Sequence, residues 1–91
     1  MFESKYIVEE GIVSRTNQDG TVIIMKMDES NTFFKINGVA AVVWKELALK
    51  KDINDIYHSV LAEYNVTENQ LKTDIQNLLD SLLAKSLIKI N

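Results

Sequence analysis

The chain has 91 residues, of which 46% are hydrophobic and 25% charged, with a net charge of −3 and no cysteine. A chain of this length makes one domain, residues 1–91, able to bury roughly 60–65% of the surface its unfolded form exposes, and the composition excludes disorder. The mild negative charge excludes a general affinity for nucleic acid or anionic membranes, and the lack of cysteine excludes disulfides and thiol chemistry.

The opening, MFESKYIVEE, carries acids and no long apolar run, so it is not read as a signal peptide. No stretch of the chain approaches the ~18 apolar residues of a membrane span, and the cytoplasm is the expected location. Gly11 to Thr16 reads as a first strand. Asn17 to Gly20 (NQDG) is a hairpin turn, because Asp-Gly supplies the positive φ of tight turns. Thr21 to Met27 (TVIIMKM) is rich in β-formers and makes a second strand. Asp28 to Asn31 is the next turn, and Thr32 to Ile36 (TFFKI) a third strand. Alternation puts Thr32, Phe34 and Ile36 on one face and Phe33 and Lys35 on the other, so the two phenylalanines cannot enter the same core.

Asn37 stands as an N-cap to a first helix. Val39, Val42, Val43 and Leu47 give that helix its apolar stripe, with Trp44 beside it as a core anchor showing one edge. Asp52 caps a second helix whose face is marked by Ile53, Ile56, Tyr57, Val60, Leu61 and Tyr64. Asn65 to Gln70 breaks it, and Thr67 with Gln70 has capping-box spacing. Leu71, Ile75, Leu78, Leu79, Leu82 and Leu83 then follow helical spacing to about Lys85, and LIKI (Leu87 to Ile90) ends as a short extended segment. Three strands followed by three helices make an α+β domain: a winged helix-turn-helix-like fold, with a three-stranded antiparallel sheet ahead of the helices.

No constellation in the chain carries catalysis. His58 has only Asp55 near it in helical spacing, short of the three or four ligands of a zinc site. Nothing resembles a nucleophile elbow or a triad. The expectation is a protein that is not an enzyme, with no metal and no cofactor. Asp74 reads as either a solvated carboxylate or a structural hydrogen-bond acceptor.

The stretches FKINGVAAVVWKEL, INDIYHSVLAEYNV and LKTDIQNLLDSLLAKSLI resemble the PqqD-like family, the small proteins of pyrroloquinoline quinone biosynthesis and the related precursor-peptide recognition elements. The residues that carry the resemblance are Ile36-Asn37, Ala40-Ala41 with Trp44, Ile56, and Asp74-Ile75. They span about residues 11–88, the core of the domain. The chain departs from the family pattern at Ser86 and at Lys51-Asp52, where relatives often have glycine.

The resemblance implies binding of the leader segment of a ribosomally synthesised precursor peptide and its presentation to a modifying enzyme, often a radical-SAM enzyme. The leader would add as a strand beside the third strand, at a sheet edge whose backbone groups are open to pairing. The implied peptide-binding residues are Thr32, Phe33, Phe34, Lys35 and Ile36, which pair through the backbone. Leu71, Lys72, Ile75, Gln76 and Leu79 of the third helix wall a groove against the third strand, with Lys72 and Gln76 meeting acidic leader side chains. The same open edge allows a homodimer. The alternative is a small winged-helix DNA-binding protein whose reading helix begins TENQLKTDIQN. That helix pairs one lysine with Glu68 and Asp74, and the chain holds a single arginine, Arg15, where phosphate contact calls for several cations.

Overall fold

The computed structural model describes residues 2–27 and 33–91. The strands are β1 (Tyr6–Val8), β2 (Ile12–Thr16), β3 (Val22–Lys26) and β4 (Phe33–Ile36). Helices α1 (Gly38–Ala48), α2 (Ile53–Glu63) and α3 (Glu68–Ala84) follow, and β5 (Ile88–Ile90) ends the chain. Strands β2, β3 and β4 form the expected three-stranded antiparallel sheet, with β3 in the middle. The turn read from Asp28 to Asn31, and Thr32 at the start of the third strand, lie outside the described residues.

Gly20 closes the β2–β3 turn at φ +90, a backbone conformation that favours glycine. The turn is fixed further by Asp19, whose Oδ1 accepts the Thr21 amide at 2.9 Å. That bond holds the Asp19 carboxyl below its usual value, and the charge of Lys35 acts in the same direction.

A second, two-stranded sheet joins β1 to β5 with Tyr6 opposite Ile90 and Val8 opposite Ile88. Strand β1 has no counterpart among the elements expected from the sequence. Phe2 is buried, its amide and carbonyl both bond the Asn54 side chain at 3.0 Å, and its ring meets Tyr57 edge-on. The N-terminus is thereby tied to the first turn of α2.

Alternation decides what the sheet buries. Val22, Ile24 and Ile36 share its inner face and enter one core with Val43, Trp44 and Leu47 of α1, Ile56 and Val60 of α2, and Leu71, Ile75, Leu79 and Leu82 of α3. Trp44 is 1% exposed, so it shows no open edge. Thr67 caps α3 by accepting the Gln70 amide at 3.2 Å. The reciprocal half of the capping box does not form, because the Gln70 side chain donates to Asp74 Oδ1 at 2.8 Å. Asn37 occupies the N-cap position of α1 without a side-chain bond. The chain enters that helix through Gly38 at φ +59, and a left-handed first residue does not array the next amides around the cap side chain.

Both α1 and α3 end in a Schellman arrangement. After α3, Leu87 donates to Leu82 at 2.9 Å and Ser86 to Leu83 at 3.0 Å; after α1, Lys51 donates to Glu46 at 3.2 Å and Lys50 to Leu47 at 2.9 Å. The motif needs a left-handed residue, supplied by Ser86 at φ 59 and Lys50 at φ 66. The departure from glycine at Ser86 therefore falls where glycine is the unstrained residue.

Candidate functional site

β4 is an edge strand, and among the described residues nothing pairs with its outer side. Which of its backbone groups are open follows from the hairpin. Asn17 donates to Thr21 and Met27 to Gly11, both at 2.8 Å, so 17–21 and 11–27 are hydrogen-bonded pairs. Such pairs alternate along an antiparallel ladder, so Val13–Met25 and Arg15–Ile23 are bonded as well. The odd residues of β3 thus serve β2, and Val22 and Ile24 serve β4, where they face Ile36 and Phe34. The N–H and C=O groups of Phe33 and Lys35 are left pointing at the open edge.

The side chains follow the same alternation. Ile36 is buried and Phe34 half-buried on the inner face. Phe33 is 66% exposed on the outer face, beside the partly exposed Met25 and Val13 in one cross-strand row.

A groove borders β4 on its inner side. At one end a cleft of about 170 Å³ is lined by Ile24, Lys26, Phe33, Phe34, Lys85 and Leu87. The ammonium of Lys85 lies over the Phe34 ring, 4.9 Å from its centroid. At the other end a cleft of about 230 Å³ is lined by Val39, Ala40, Val43, Asp74, Ile75 and Leu78. Helix α3 lines the second cleft and its C-cap residue Lys85 the first, so the helix runs opposite in direction to β4: Asp74 lies by Val39 and Lys85 by Phe34.

The structure separates the helix residues expected at the groove. At roughly 100° per residue, Asp74 and Leu78 share one flank of α3, and the C-cap Lys85 continues it. Leu71, Ile75 and Leu79 form the adjoining stripe and are 0–1% exposed, so they belong to the core; Ile75 also lines the second cleft. Lys72 and Gln76 are exposed on the opposite flank, where Gln76 donates to Asp80 Oδ1 at 3.0 Å. Apart from Phe33, Phe34 and Ile75, the residues lining the two clefts are ones that sequence reasoning did not place there, Lys26, Asp74, Leu78 and Lys85 among them. A signal for Leu78 was present: at roughly 100° per residue it lies just outside the Leu71-Ile75-Leu79 stripe, on the side of Leu71.

No group of three or more potential metal ligands occurs among the described residues. Nor does any described helix have the length and apolarity to cross a membrane.

Two solved structures share this fold. TbiB1 in complex with the TbiA(beta) leader peptide superposes with a TM-score of 0.82 at 24% identity, covering 91% of this chain and 94% of that one. Lasso peptide synthetase B1 complexed with the leader peptide gives a TM-score of 0.78 at 19% identity, covering 92% and 96%. No curated protein matches the chain at a significant level. The family model for coenzyme PQQ synthesis protein D matches residues 11–88, which take in β2 to α3 with both walls of the groove, and the chain therefore belongs to the PqqD family.

Proposed function

We propose that the protein binds the leader segment of a ribosomally synthesised precursor peptide and presents it to a modifying enzyme, acting as an adaptor and not as a catalyst. The observation that carries this reading is the β4 edge, where the amides and carbonyls of Phe33 and Lys35 stand open beside an apolar groove. An extended peptide gains main-chain hydrogen bonds at such an edge and selectivity from pockets that take alternate side chains. Family membership and the two leader-bound proteins of the same fold support it.

The proposed surface is the backbone of β4 with Phe34 and Ile36 as groove floor, Ile75, Leu78 and Asp74 at one end and Lys85 at the other. A radical-SAM enzyme fits as the modifying partner, the cytoplasm as the compartment, and self-pairing through β4 as a competing homodimer. DNA binding is not favoured, because the exposed surface of α3 mixes Glu68, Asp74 and Asp80 with Lys72.

Calorimetric titration with synthetic leader segments of the short peptides encoded beside this gene tests the reading. The expected affinity is sub-micromolar to micromolar, roughly −8 to −10 kcal/mol, with weak salt dependence. Absence of heat and of spectral shifts with all of them contradicts it, and a steep fall of affinity for duplex DNA with salt would favour the alternative.

A further inference from the structure

The groove is electrically polar in a chain whose net charge is −3. Its Phe34 end is walled by Ile24 and Leu87 and carries Lys26 and Lys85, with no carboxylate among the described residues that line it. Its Val39 end carries Asp74 and no cation. Lys85 is poised at the mouth of the first cleft by its position over the Phe34 ring.

Strand parity then says which residue of an added peptide meets which end. Phe33 and Lys35 hold the backbone bonds, so Phe34 sits opposite a peptide residue in a non-hydrogen-bonded pair, whose side chains approach most closely. That peptide residue points to the inner face, into the cleft between Lys26 and Lys85. Its neighbours point outward, over Phe33 and Lys35.

We propose that the groove selects for charge order: the bound segment places an acidic side chain opposite Phe34, held by Lys26 and Lys85, and a basic or amide side chain toward Asp74. This rests on peptide addition at β4 and specifies its ligand. An acid-to-base sequence matches the groove in one direction of threading, and the reversed segment sets like charges against each other at both ends.

The test is selection from a displayed library of random extended segments against the full chain, in parallel with the K26E/K85E variant and the milder K26Q/K85Q variant. Circular dichroism on each variant establishes that it is folded. The wild-type chain is expected to enrich segments with Asp or Glu flanked by apolar residues at alternate positions, and Lys, Arg, Asn or Gln further along. The best of these should bind K26E/K85E at least about tenfold more weakly, and a Lys in place of the peptide's acid should restore affinity. The K26Q/K85Q variant should lose the acid preference without gaining a basic one, which keeps the test decisive if charge reversal unfolds the protein. Segments that bind at β4 with no acid preference, or with equal affinity for all variants, overturn the charge-order inference alone. Failure of the wild-type chain to enrich any segment overturns peptide addition as well.

Discussion

Phe33 and Phe34 are adjacent in sequence and face opposite sides of the sheet, Phe33 66% exposed and Phe34 packed against the core beneath Lys85. The two should therefore respond differently to truncation. Phe34→Ala removes a half-buried ring and should cost about 1–3 kcal/mol of stability, below the range for a fully buried phenylalanine. Phe33→Ala should leave stability within about 0.5 kcal/mol, and its effect should appear as weaker peptide binding through the lost cross-strand contact. Denaturant titrations followed by the fluorescence of Trp44, the single tryptophan, read the first quantity independently of the second.

Leu78 and Leu79 divide in the same way on α3. Leu79 is fully buried, and Leu79→Ala should destabilise the fold by about 2–5 kcal/mol, with any loss of binding following the loss of structure. Leu78 is half-buried and lines the groove, so Leu78→Glu should weaken leader binding in a protein that still melts cooperatively. Thermal melts beside binding titrations separate the two; a Leu78→Glu protein with unchanged melting and unchanged affinity would remove that flank from the site.

Ser86 occupies the left-handed position of the α3 Schellman motif at φ 59. A residue with a Cβ is strained there, and glycine is not. Ser86→Gly should raise stability by about 0.5–1 kcal/mol, after subtracting the greater unfolded-state entropy of glycine. Ser86→Val should lower it. Equal stability of all three proteins would show that the strain at this residue is negligible.

Acid should loosen the β2–β3 turn. The Asp19 carboxyl is held below its usual value by the Thr21 amide. A depressed acid stabilises the fold above its unfolded pKa, and that contribution is lost as pH falls through the folded value. Replacing Asp19 with Asn should flatten the fall of stability below about pH 4 relative to the wild-type chain. Melting temperatures across that range, wild type against variant, measure it; superimposable profiles would deny Asp19 the role.

The parts of this fold that local chemistry controls were legible in the sequence. Asp19-Gly20 announces its turn, alternation separates Phe33 from Phe34, and Asp52 and Thr67 accept the amides their spacing promises. The parts that depend on distant partners were not. Leu87 to Ile90 reads as extended and ends in the strand Ile88–Ile90, but its partner Tyr6–Val8 is a three-residue strand, too short to show a period and defined only by pairing across the whole chain. Helical spacing places Leu71, Ile75 and Leu79 on one stripe of α3, but not which flank of that stripe borders β4. That depends on how the helix docks, and it sets Lys85 and Leu78 at the groove while Lys72 and Gln76 point away. The parity of the β4 edge was equally hidden, because it is inherited from the register of β2 on β3.

Residue-by-residue amide hydrogen exchange, with and without a leader peptide, tests the central claim most directly. In the free protein Phe34 and Ile36 should exchange slowly, bonded to β3, while Phe33 and Lys35 exchange fast. Leader addition should slow Phe33 and Lys35 and leave Phe34 and Ile36 little changed, because successive amides of a strand face opposite edges. New protection confined to α1 or the surroundings of His58, with Phe33 and Lys35 as fast as before, would contradict strand addition even for a peptide that binds.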